Sequence, residues 1–161
     1  MDHLWSPWRY RYVQGATHTD RCIFCQMAAE NRDAENFIVH RARYNFIVLN
    51  LFPYTTGHLM VAPFDHVSTI EETNDVVLEE MMLLSKEAQK HLRAIYAPGG
   101  FNMGMNIGEM AGAGVAGHIH LHVLPRWSGD ANFMSTIGET RVLPEALPET
   151  YRKLKAAFQH V

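Results

Sequence analysis

Several things are scarce in this chain, and each scarcity excludes something. Only two of its 161 residues are cysteine, so no disulfide framework can hold it and a buried core must. Charged residues make up 19% and the formal net charge is -3. That gives no basic face for nucleic acid or an anionic membrane. No apolar run approaches the roughly 18 residues of a membrane span. Repeats, low-complexity tracts and linker-like stretches are missing. The first twenty residues place Asp2, Arg9 and Arg11 among Trp and Tyr, without the apolar segment of a secretory signal. A soluble cytoplasmic chain is the expectation, with no nucleic acid and no membrane as partner.

Two things are abundant. Hydrophobic residues reach 47%, an ordinary globular share, and there are ten histidines. The pattern along the chain suggests an α+β fold. An aromatic arm around Trp5 and Trp8 is followed by a short helix over 22–31. Strands are expected at 37–40, 44–51 and 58–63, from β-branched and aromatic runs bounded by turn residues. Val77, Met81, Leu84, Ala88, Leu92 and Ile95 recur in steps of three and four, as on one face of a helix that Thr73 or Asn74 could cap and Pro98 ends. A strand over 101–106, a glycine-rich loop over 108–117, a strand over 118–124 and a helix over 147–160 complete the order. Such an order predicts an antiparallel sheet with one long helix packed across it, plus a C-terminal helix.

The densest signal is His118-Ile119-His120-Leu121-His122. Side chains alternate in a strand, so the three imidazoles share one face, roughly 7 Å apart, and the apolar residues enter the core from the other. The bland alternative is a polar outer face that happens to hold histidine three times. A metal site built of all three is another. The approach loop favours an anion nearby, because glycines let backbone N–H groups come close to phosphate oxygens. Cys22 and Cys25, spaced C-x-x-C, form half of a tetrahedral zinc site or else a metal-free thiol pair.

His118 to Leu124 resembles the alternating signature of the histidine triad (HIT) family of nucleotidyl hydrolases and transferases. Asn50, eight residues before His58, matches the family's spacing, and Leu4 to Arg9 and Pro125 to Phe133 resemble bacterial members that include diadenosine tetraphosphate phosphorylases. The resemblance spans roughly residues 4–135. It implies one HIT domain over 1–161, with the N-terminal arm 1–20, a catalytic core 21–135 and a C-terminal extension 136–161. It implies that His120 attacks the α-phosphorus and carries a covalent nucleotidyl intermediate. His122 and Asn106 would assist at the phosphate, with backbone at Gly112, Gly114 and Val115. Asn50 would bind ribose and His58 would lie on the phosphate side. Phe46 or Leu51 would pack on the base.

For the metal, the resemblance completes Cys22 and Cys25 with His66 and His118, a closed four-ligand set and hence structural zinc. The substrate would be a nucleotide such as a diadenosine polyphosphate, with Mg as an open companion, and the assembly a homodimer. Trp5, Trp8, Met81 and Met82 could supply its interface or equally sit in the core. Two features depart from common patterns: Gly114 stands where relatives often carry a phosphate-touching hydroxyl or amide, and the loop from Asn106 to His118 is one residue longer than in the commonest members, a length that resembles the bacterial phosphorylase-like group. Conversely, His122 stands where transferases often carry Gln, which leans toward a hydrolase or phosphorylase. Water or phosphate remains open as the acceptor. The alternatives are a nucleotide-binding or signalling module with little turnover, and a zinc-stabilised interaction protein.

Overall fold

In a computed structural model, residues 22–131, 135 and 143–159 are described. Trp5, Trp8 and the rest of the expected arm lie outside them, as do Asn132 and Phe133. The elements run α1 (Ile23–Ala29), β1 (Ile38–Arg41), β2 (Asn45–Leu49), β3 (Leu59–Pro63), α2 (Asp75–Tyr96), β4 (Gly100–Gly104), a 3-10 turn (Glu109–Ala111), β5 (Leu121–Arg126) and α3 (Leu147–Phe158). The strands form one antiparallel sheet in the order β1-β2-β3-β5-β4, which is the α+β architecture that the patterning suggested.

Both faces of the central strands are buried. On one face Ile47, Leu49, Leu59, Val61, Leu121 and Val123 meet Met81, Leu84, Ala88 and Leu92 of α2. Leu154 and Phe158 of α3 join the same cluster. The segment expected as an extension is thus part of the main core. On the other face Ile38, Phe46, Val48, Met60 and Ala62 pack under Phe24 of α1. The second cluster is smaller, and it leaves room beside it.

Local rules explain most boundaries, and three expectations change. Asn74 occupies the position before α2, but no side-chain cap bond forms, and the Thr73 hydroxyl donates to Thr69 O at 2.8 Å instead. The chain leaves α2 through Ala97 in the left-handed region. The triad strand starts at Leu121 and not at His118, because the Ile119 N–H donates to Val67 O at 2.8 Å outside the sheet ladder. The expected strand 101–106 runs Gly100–Gly104, so Asn106 sits in the loop after it. Met81 is core, whereas Met82 is 59% exposed.

One glycine is required by its surroundings. Gly57 has a φ of +77°, and a Cβ there would stand 2.8 Å from Leu92 Cδ2. Its backbone therefore lies flat against α2, which delivers the next residue, His58, into the interior.

Candidate functional site

The sheet register sets the floor of a cleft. Val48 of β2 pairs with Met60 of β3, and Met60 pairs with His122 of β5. All three lie on the face opposite α2 and line an open cleft. One wall is α1, through Ile23, Phe24 and Met27. Leu51, Phe52 and Tyr54 form another. Asn50, Asn106, His120 and His122 add polar groups to the lining, with Gly112, Gly114 and Val115 of the glycine loop. A cleft lined by apolar side chains and a few polar groups suits a ligand with a flat apolar part and a charged part.

The backbone chooses which nitrogen of each histidine is available. His120 Nδ1 lies 2.9 Å from His118 O, and a carbonyl can only accept. The proton is therefore on Nδ1, and Nε2 keeps its lone pair. His58 runs the other way. Its Nδ1 accepts the Tyr54 N–H at 3.1 Å, so Nε2 carries the proton and donates to His122 Nδ1 at 2.8 Å. His122 is left with a protonated Nε2. Two neighbouring imidazoles, 4.9 Å apart between ring centroids, thus offer one lone pair and one donor. Burial pushes the pKa of His120 down. Burial, and then the charge of His120, push that of His122 to about 4. Both rings are neutral at pH 7.

Some expected residues take different places. His58 is 0% exposed and stands behind His122, outside the cleft lining. It reaches a ligand only through His122. Phe46 is buried under Phe24 and Phe64 at ring distances of 6.4 and 5.4 Å, and it does not line the cleft. Leu51 does. The Asn50 Oδ1 accepts the Phe52 N–H at 2.9 Å, and its Nδ2 lies 3.4 Å from His58 Nδ1. The Gly112 N–H donates to Glu109 O at 2.9 Å, and the Ala113 N–H to Gly108 O at 3.3 Å. These two loop donors are engaged within the loop instead of being offered to an anion.

Ile23, Phe24, Met27, Met60 and Tyr54 also line the cleft without having been singled out in the sequence. The signal available was the helical spacing of 23, 24 and 27 beside the C-x-x-C pair, which puts these residues on one side of a helix.

Behind Phe24 lies the thiol cluster. One ligand-type atom from each of Cys22, Cys25, His66 and His118 falls within 4.8 Å of the others. Cys22 Sγ and Cys25 Sγ lie 3.3 and 3.6 Å from His118 Nδ1, and Cys25 Sγ lies 3.3 Å from His66 Nδ1. For Zn–S of about 2.3 Å and Zn–N of about 2.0 Å, the S···N edge of a tetrahedron is about 3.6 Å. The donor set therefore fits zinc. The His118 Nε2–H donates to Pro63 O at 2.9 Å, which turns an unprotonated Nδ1 toward the thiols. Burial raises the pKa of the Cys25 thiol, as do a hydrogen bond and the charge of Cys22.

The HIT domain family matches residues 31–129. The chain is 37% identical to a protein described as AP-4-A phosphorylase from Mycobacterium tuberculosis, over 96% of this chain and 83% of that one. A Zn-bound histidine triad family protein from Mycobacterium smegmatis shares 27% identity with a TM-score of 0.71, covering 88% of this chain and 95% of its own. Plasmodium falciparum diadenosine triphosphate hydrolase superposes with a TM-score of 0.62 over 78% of this chain and 76% of its own. At 13% identity it shares the fold alone.

Proposed function

The chain belongs to the HIT domain family, and from that premise we propose that it is a nucleotidyl-transferring enzyme that cleaves dinucleoside polyphosphates through His120. The observation that carries this reading is the opposed protonation of His120 and His122. His120 Nε2 is a lone pair at the cleft, backed by His118 O. It attacks the α-phosphorus in line, forms a P–N bond and expels the remaining polyphosphate. The Nε2–H of His122 donates to the departing oxygen, and His58 holds that ring in the required tautomer. The base lies against Phe24, Met27 and Leu51. Asn50 takes the ribose, and Asn106, Gly114 and Val115 border the phosphates. Among the described residues no carboxylate lines the cleft. A Mg ion, where one takes part, is therefore carried by the polyphosphate.

We assign the acceptor as inorganic phosphate, on the strength of the 37% identity across nearly the whole chain to a protein described as AP-4-A phosphorylase. Phosphate attacks the nucleotidyl-His120 phosphorus, breaks the P–N bond and releases a nucleoside diphosphate. Cys22, Cys25, His66 and His118 hold zinc, which supplies a structural cross-link between α1 and the triad segment. A homodimer is part of the same reading. Among the described residues the edge strand β4 pairs with β5 alone, and Met82 and Leu83 are exposed on α2. Sedimentation of the purified protein checks that point.

The deciding experiment incubates diadenosine tetraphosphate with the protein, with and without phosphate, and separates the nucleotides. ADP plus ATP, formed only when phosphate is present, is the expected result. AMP plus ATP in both conditions makes the enzyme a hydrolase. Tight AMP binding without turnover makes it a nucleotide-binding module.

A further inference from the structure

We propose that Phe24 is a positioning residue for His120: its ring fixes the plane of the imidazole and so the direction of the Nε2 lone pair. This rests on the functional reading above. Among the described residues a single hydrogen bond, Nδ1–H to His118 O, ties the His120 ring at one edge. Rotation about the bond that joins ring to chain is soft, because such terminal torsions are broad. Something must hold the faces. The His122 ring meets His120 at 4.9 Å and 73°. The Phe24 ring meets it at 4.9 Å and 39°. The two leave the imidazole little room to swing.

Phe24 is itself unusually well fixed. It is 3% exposed and rests on Phe46 at 6.4 Å. It sits between Cys22 and Cys25 in the chain, so both flanks of its backbone belong to the thiol cluster. Its ring also lies 5.2 Å from that of His118, whose Nδ1 faces the two sulfurs. One aromatic ring therefore touches both the cluster's histidine and the nucleophile. A seven-residue helix has little stability of its own. What places this ring is the cluster at one end of the helix and the sheet beneath it.

Phe24 also lines the cleft, so a role as mere wall is the competing account, and kinetics separate the two. A wall contact exists equally in ground and transition states and changes KM. An aiming contact changes kcat, because a misdirected nucleophile loses roughly ten- to a hundred-fold in rate. The variants are Phe24→Leu and Phe24→Met, which keep an apolar filler without a ring, and Phe24→Tyr, which keeps the ring. Zinc content and thermal melting confirm that each is folded; two ring-free variants guard against one failing to fold.

The ring-free variants should lose about ten-fold or more in kcat with KM changed less than three-fold. Phe24→Tyr should recover kcat to within about three-fold of the parent. A second measurement needs no turnover: the rate at which His120 is carbethoxylated by diethyl pyrocarbonate, read by peptide mass spectrometry. Freed from its face contact, His120 should react several-fold faster in the ring-free variants, and His122, which Phe24 does not face, should change little. A raised KM with kcat intact, or an unchanged His120 modification rate, overturns the proposal. A parent protein that never forms adenylyl-His120 overturns the functional reading instead, and the modification rates still decide on Phe24.

Discussion

The two faces of this sheet solve different problems with the same strands. Toward α2 and α3 the side chains are apolar and contiguous, and one cluster takes in four sheet strands and both helices. Toward α1 the cluster is small, and imidazoles, thiols and amides fill the space beside it. A 22-residue helix covers the first face and a seven-residue helix the second. Stability is therefore concentrated on one face, which frees the other to carry buried histidines with hydrogen bonds that dictate their protonation. Strand alternation is what joins them: Ile119, Leu121 and Val123 face α2, and the histidines between them face the cleft and the cluster.

The comparison breaks if a site-face residue proves essential to folding or a helix-face residue to chemistry. The largest expected effect is that of His120→Ala. Turnover of diadenosine tetraphosphate should fall by roughly 10⁴-fold or more, since removing a covalent nucleophile costs up to about 10⁶-fold. Melting should shift by only a few degrees, because the ring's hydrogen bond among the described residues is to a backbone carbonyl. Residual activity within ten-fold of the parent would rule out His120 as nucleophile.

A middle effect belongs to the cluster, where the two functions of the site face can be told apart. Cys22→Ser should lose bound zinc, measured by metal analysis on protein purified without chelators. Because metal affinity of a folded site is also folding free energy, melting should drop by on the order of 10 °C for a domain of this size. Wild-type protein without metal, or a variant that keeps it, would sink the assignment. Seen beside His120→Ala, the result divides the triad into a histidine that holds the site together and a histidine that reacts.

Much of this division could be read from the residues, and its limits are physical. Period-two spacing states which side chains share a face, so the grouping of His118, His120 and His122 held even though two of them precede the strand. Parity says nothing about position along a strand. Phe46 and Val48 share the cleft-side face, yet Val48 lines the cleft and Phe46 is covered by Phe24 and Phe64. The 3.6-residue period of α2 was legible because tertiary packing and local pattern agree there. The wall made by Ile23, Phe24 and Met27 was not, since it depends on where a short helix is docked and its own sequence does not say. The glycine loop is ambiguous for a related reason: glycine permits a close approach to phosphate but equally permits the tight turn in which Gly112 and Ala113 donate to their own loop.

The smallest predicted effect tests the helix face from its one conspicuous polar group. Glu80 of α2 accepts hydrogen bonds from the backbone N–H groups of Arg43, Tyr44 and Asn45 and from the Asn45 side chain, at 2.8 to 3.1 Å. It thus pins the β1–β2 turn to the helix. Burial pushes the carboxyl pKa up, but the hydrogen bonds from Asn45 and the backbone outweigh it and hold the group below its ordinary range. Glu80→Gln keeps the size, loses the charge and turns half of the acceptor into a donor facing donors. It should cost about 2 kcal/mol at pH 7, or about 6 °C in melting, with kcat unchanged. A depressed carboxyl pKa adds stability that is complete above the unfolded value near 4.3 and is lost as pH falls through the native value. The gap between parent and variant should therefore be constant from pH 8 to about pH 5 and narrow below pH 4, where protonated Glu80 resembles Gln. Denaturant melts at pH 7 and pH 3.5 measure both ends. A gap that persists at low pH would mean that Glu80 acts by shape and not by charge. A fall in kcat would mean that the two faces are less independent than their packing indicates.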